Sequence, residues 1–170
     1  MGKEEYYKRQ PATHVDGSRI FVTAEDEAKE RTVAEQVAAR WRCDVHRFAK
    51  LAPIDYYAER DGRVVGLFEL KNRDHASTTY DTVYFSLRKW LALLLAETGL
   101  GVPALFVVQF TDGVWWCRAR DVNPREHGVS ISGATFKPKK ESDVEPVIEV
   151  PIAMMTELGA RPMREPGDEA

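Results

Sequence analysis

The stretch Pro53-Ile54-Asp55-Tyr56-Tyr57-Ala58-Glu59-Arg60-Asp61-Gly62-Arg63-Val64-Val65-Gly66-Leu67-Phe68-Glu69-Leu70-Lys71-Asn72-Arg73 is the one around which the chain is arranged. Two apolar runs flank Asp61-Gly62, a dipeptide that favours a tight hairpin turn. The spacing predicts one strand over about Ile54–Arg60 and a second over about Arg63–Asn72. Both faces of the second strand are mostly apolar, with Val65 and Leu67 on one and Val64, Phe68 and Leu70 on the other. That pattern predicts a strand covered on both sides. Glu69 and Lys71 nevertheless project from one face at its end. Burying charge is costly, so their presence calls for a reason. Folding back at the turn brings Asp55 toward Glu69. Two carboxylates and a lysine at one strand end suggest a divalent-metal site with a cationic helper.

The 170 residues fit one domain with tails, and a hydrophobic content of 44% supports a real core. The formal net charge is -3, so any basic contact surface must be local. Cys43 and Cys117 are far apart and form no ligand-spaced pair, which argues against a thiolate zinc site and fits a reducing cytoplasm. The longest apolar run, Trp90 to Ala96, is too short to span a bilayer, so no membrane partner is expected.

Residues 1–23 are expected to form a polar N-terminal arm, with a short strand at Arg19 to Val22. Thr23 and Asp26 resemble a capping box. A helix follows over about Ala24–Trp41, with a stripe of Val33, Val37 and Trp41 widened by Ala34 and Ala38. Glu27 and Glu30 fall on the stripe side, whereas Glu35 projects away. Cys43–Ala49 reads as a short strand. Arg73–Thr82 reads as a loop containing His75. Val83–Thr98 reads as a helix whose core face is Leu87, Leu91, Leu94 and Leu95, ended by Gly99 and Gly101. Arg88 and Lys89 lie near its start. Val102–Phe110 is an apolar run that reads as a buried strand, and Val114–Ala119 completes a second hairpin. Its Trp115 and Trp116 can stack bases, but packing is the commoner role. Further on, extended segments are expected at Val129–Phe136 and Val147–Ile152, and a helical turn at Ala153–Leu158. Lys137, Lys139 and Lys140 form a small basic cluster. Residues 24–158 are taken as the single domain and 159–170, rich in Pro, Gly and charge, as a disordered tail. The result is an α/β fold: a mixed central sheet flanked by helices, with an αβββαβ core.

Pro53-Ile54-Asp55, followed thirteen residues later by Glu69-Leu70-Lys71, resembles the PD-(D/E)XK nuclease superfamily. The element order is similar to the core of that restriction-endonuclease-like fold, over about residues 24–120. Ile54 separates Pro53 from Asp55 where the idealised motif has the two adjacent. The resemblance implies that Asp55, Glu69 and the Leu70 carbonyl bind Mg²⁺ or Mn²⁺. It implies that Lys71 orients or deprotonates the attacking water and stabilises charge on the scissile phosphate. An acid from the first helix often joins such sites; helical phase favours Glu30 over Glu27 and Glu35. Lys89, Arg73, Arg88 and His75 would face the nucleic acid. The implied activity is a metal-dependent deoxyribonuclease, an endonuclease sooner than an exonuclease, in the cytoplasm of a bacterial or phage-infected cell. The small size looks like phage-type recombination nucleases and Holliday junction resolvases, which would cut two strands as a homodimer. Two rivals remain: the same fold as an inactive binding module, and an unrelated α/β protein in which Glu69 and Lys71 form a structural ion pair.

Overall fold

The structure is a computed structural model, and it describes residues 24–49, 52–132 and 144–159. The arm, the Arg19–Val22 strand, the Thr23 capping residue, the basic cluster at 137–140 and the tail beyond residue 159 lie outside the described residues.

Chain order begins with helix α1 (Ala24–Trp41), then strands β1 (Asp44–Arg47), β2 (Tyr56–Arg60) and β3 (Arg63–Asn72). Strand β4 (Thr82–Ser86) leads into helix α2 (Leu87–Leu100), followed by β5 (Ala104–Phe110) and β6 (Gly113–Arg118). The short helix α3 (Pro124–His127), β7 (Val129–Ile131), β8 (Pro146–Pro151) and β9 (Thr156–Glu157) complete the described part. A six-stranded sheet runs in the order β1-β2-β3-β5-β6-β9. All its neighbours are antiparallel except β3 and β5, which pair in parallel with Glu69 opposite Phe106 and Lys71 opposite Val108. The αβββαβ order is therefore present, with β4 inserted before the second helix.

The Asp61-Gly62 turn takes the form its residues favour, with φ of 52° and 73°, the left-handed pair of a tight hairpin. Along β3, Gly66 to Leu70 are all buried, with successive side chains on opposite faces. Phe68 and Leu70 pack with Tyr56, Leu105 and Val107 beneath α1, whose Val33, Ala34, Val37 and Trp41 are buried against them. Leu67 faces the other way, into a cluster with Phe106, Val108 and Leu93 of α2. Glu69 and Lys71 share the Leu67 side by strand alternation. Trp115 and Trp116 serve packing: Trp116 meets Trp41 edge-on at 6.0 Å, and Trp115 meets Phe110 at 5.5 Å.

Three expectations are corrected. Val83–Ser86 is strand, not the first turn of the helix. It belongs to a second, three-stranded antiparallel sheet, β4-β8-β7. Ser86 ends it by capping α2, accepting a hydrogen bond from the Lys89 amide at 3.5 Å. The core face of α2 is centred on Leu93, fully buried, while Leu91 and Leu95 are exposed. The helix is apolar on nearly every side, so spacing alone does not select its phase. Finally, Thr156–Glu157 is a strand at the edge of the large sheet and pairs with Trp115 and Trp116; only Ile152–Met154 makes a helical turn.

Phe85 joins the two sheets. Its ring lies parallel to that of Phe106, with centroids 3.9 Å apart and planes 3° from parallel. The small sheet thereby stands over the Glu69 side of the large one.

Candidate active site

Asp55 lies in the loop just before β2, and its position is fixed from both sides. Its carbonyl accepts from the Phe48 amide at 2.9 Å, and its Oδ2 accepts from the Leu70 amide at 3.4 Å. The second bond ties the Asp55 carboxylate to β3 beside Glu69. Glu69 itself is buried, an unusual state for a carboxylate.

Both acids converge on one cation, the Lys89 ammonium. Its Nζ donates to Asp55 Oδ1 at 2.6 Å and to Glu69 Oε2 at 2.9 Å. These lengths are those of charge-assisted hydrogen bonds. Burial alone would lower the Lys89 pKa, but Glu69 and Asp55 more than offset this and the pKa is raised. The Glu69 carboxyl is pushed up to about 9, by burial first and by the neighbouring Asp55 carboxylate second, with Lys89 opposing. Two acids share one ammonium here, so one negative charge is left without a counter-ion, and the upward direction for Glu69 follows.

A pocket of about 440 Å³ opens beside this trio. Lys71 of β3 and Arg73 just after it line it together with Tyr84 and Ser86 of β4, Arg88 of α2, and Ser132 and Glu145 from the small-sheet side. Lys71 is exposed to solvent yet walled by protein; desolvation first, and the Arg73 guanidinium second, lower its ammonium pKa. Arg73 donates to the Tyr84 carbonyl at 3.4 Å, spanning from the large sheet to the small one. Ser86 donates to Glu145 at 2.7 Å. Among the described residues Lys71, Arg73, Arg88 and Lys89 outnumber Glu69 and Glu145 in the lining, so this wall is locally basic on a chain whose net charge is -3.

Glu30 occupies the sheet-facing side of α1. Arg47 pairs with it at 3.0 Å, and the Tyr56 hydroxyl donates to it at 3.2 Å. Burial first, then Glu30, raise the Tyr56 pKa, with Asp55 adding to the effect. Tyr56 thus lies within electrostatic reach of both acids. His75 does not line the pocket. Its Nδ1 donates to the Ala76 carbonyl at 3.0 Å, and its ring packs on Tyr80 and Phe110. Tyr84, Ser86 and Glu145 were not expected at the site. Ser86 carried a readable signal, a capping serine before an apolar run; Glu145 carried none.

Among the described residues, no group of three or more His, Cys, Asp or Glu side chains is placed to hold a metal ion. Asp55 and Glu69 nevertheless enclose a position already taken by one positive charge. An ion such as Mg²⁺ keeps several waters and needs only one or two carboxylates. The donor set fits such an ion, with the Leu70 carbonyl next along β3.

A mixed sheet with an Asp at the mouth of one strand and a Glu-x-Lys on the next, between an acidic helix and a lysine-bearing one, defines a nuclease fold of the PD-(D/E)XK type. A family model described as "Phage putative PDDEXK endonuclease" matches residues 18–158, and the chain belongs to that family. Among solved structures, a Holliday junction resolvase, Hjc of the archaeal hyperthermophile Archaeoglobus fulgidus, is similar in fold. It is 12% identical, with a TM-score of 0.52 over 79% of this chain and 92% of that one. No curated protein matches. Among the described residues no helix is long and apolar enough to cross a membrane.

Proposed function

We infer that this endonuclease-family protein hydrolyses DNA phosphodiesters with Mg²⁺ or Mn²⁺, as an endonuclease of phage-type recombination or repair. The observation that carries this reading is the convergence of Asp55 and Glu69 on one cation beside a basic pocket. Asp55, Glu69 and the Leu70 carbonyl would hold the metal, which when bound supplies a water nucleophile at neutral pH and offsets charge on the phosphate. Lys71, with its lowered pKa, orients the attacking water and takes up its proton. Arg73 and Arg88 hold the phosphates on either side of the scissile one by charge-assisted hydrogen bonds. Glu30 fixes Tyr56 and Arg47 at the edge of the site. His75 stiffens the loop after β3. Residues 24–158 act as one catalytic unit between an arm and a tail. Cutting both strands of a junction requires two copies of the site, so a homodimer goes with the resolvase form of this reading.

The test is nicking of plasmid and branched DNA with Mg²⁺, with Mn²⁺ and with EDTA. Glu69→Ala and Asp55→Ala are each expected to lower the rate by about 10²-fold or more. Activity retained by either variant, or unaffected by EDTA, refutes the assignment. The alternative, a nuclease-fold module that binds without turnover, is favoured by one observation. Lys89 already pairs with both acids in the place a metal would take. Absence of cleavage together with absence of metal binding decides for it.

A further inference from the structure

We propose that the Lys89 ammonium and the divalent ion compete for the Asp55–Glu69 pair, so that metal uptake is coupled to the arrival of a DNA phosphate. This rests on the metal-dependent reading above and adds to it a control on when the metal is held.

The Lys89 Nζ bridges Asp55 and Glu69 at 2.6 and 2.9 Å. A magnesium ion sits about 2.0–2.1 Å from its oxygen ligands. An ion bound to both carboxylates therefore takes the space between them that the ammonium now fills. Two cations at that separation repel one another, so one must leave. The backbone of Lys89 does not readily follow, because its amide donates to the Ser86 hydroxyl that caps the first turn of α2. Only the side chain moves.

A released ammonium needs a new anionic partner, since leaving it desolvated and unpaired is costly. Lys89 lines the same pocket as Arg73, Arg88 and Lys71, all cations. Among the described residues the one other carboxylate lining it, Glu145, is engaged by Ser86 at 2.7 Å. Without DNA, the displaced ammonium meets mostly like charge. A phosphodiester in the pocket changes this by giving the ammonium an acceptor. DNA thus lowers the cost of evicting Lys89, and metal binding tightens. Linkage is reciprocal, so the metal tightens DNA binding by the same factor.

The test is calorimetry of Ca²⁺ and Mn²⁺ binding to the full chain, with and without a short DNA duplex. The wild-type protein is expected to bind metal about tenfold or more tightly with DNA than without. Lys89→Met is expected to bind metal tightly without DNA, and DNA then has little further effect. Lys89→Gln, which keeps length and a hydrogen-bond donor, serves if the methionine variant does not melt cooperatively. Unchanged or weaker metal affinity in both Lys89 variants, with wild-type binding intact and abolished by Glu69→Ala, overturns the competition alone. No metal binding by any form, with DNA present, overturns the metal-dependent reading as well.

Discussion

Phe85→Ala is the perturbation that best tests how the two sheets make one site. Phe85 and Phe106 are each 1% exposed. Truncating a buried phenylalanine to alanine costs about 3–5 kcal/mol from lost transfer energy and the cavity left behind. The parallel stack at 3.9 Å adds about 0.5–1.5 kcal/mol of pairwise energy beyond the area buried. Urea denaturation should show each single variant losing about 3–5 kcal/mol, with the midpoint of a thermal melt falling by roughly 10 °C. The double variant should lose less than the sum of the two, by about 1 kcal/mol. Phe85→Leu should lose much less than Phe85→Ala, because most of the volume is kept. Phe85 stands between Tyr84 and Ser86, both in the pocket wall. Nicking by Phe85→Ala should therefore fall at a temperature where the variant is still fully folded. A loss below about 1 kcal/mol, or strict additivity within about 0.3 kcal/mol, refutes the role given to the stack.

Arg73→Ala and Arg88→Ala should each reduce the slope of log affinity for DNA against log salt by about one; an unchanged slope in both removes them from the phosphate contacts. Lys71→Ala should lower the cleavage rate by about 10²-fold while leaving metal affinity measured by calorimetry nearly unchanged; loss of metal binding instead would reassign Lys71 to holding the site together. Burial pushes the Cys117 thiol up to about 12, with Asp121 adding to it, and a raised thiol pKa leaves less thiolate at any lower pH. Alkylation of the native protein at pH 8 should therefore spare Cys117, which should react only on unfolding; rapid labelling in the native state contradicts its burial.

Local chemistry explains which elements could be read from the residues. The α1 stripe of Val33, Val37 and Trp41 has one apolar side only, so both the helix and its buried face followed. The Asp61-Gly62 turn pins the register of its own hairpin, and β3 followed with its ends. Strand β4 was hidden because the apolar positions Val83, Phe85, Leu87 and Trp90 carry on across the strand–helix junction at Ser86, and strand and helix patterns merge there. The partners of β4 lie on β8, far along the chain, and no local pattern announces a pairing of that kind. The same limit applies to the site. Asp55 and Glu69 could be brought together on paper because a short hairpin joins them. That Lys89 bridges them, and that Glu145 faces Ser86, depends on how α2 and the small sheet dock, which is a property of the packed core.

The pairing of Ser86 with Val147 has a consequence for how the molecule assembles. In the large sheet two ladders join near neighbours in sequence, the hairpins β2–β3 and β5–β6. Strand β4 must close a loop of about sixty residues before its first ladder bond to β8 forms, and such contacts are slow to be made. The wall carrying Tyr84, Ser86 and Glu145 is thus expected to be the last part to form and the first to open. Hydrogen exchange in the native protein should show amides of β4 and β8 exchanging ahead of those in β3 and β5. The chain then passes through a stage in which Asp55 and Glu69 are aligned but the pocket is not yet enclosed, and cutting competence arrives with the final closure.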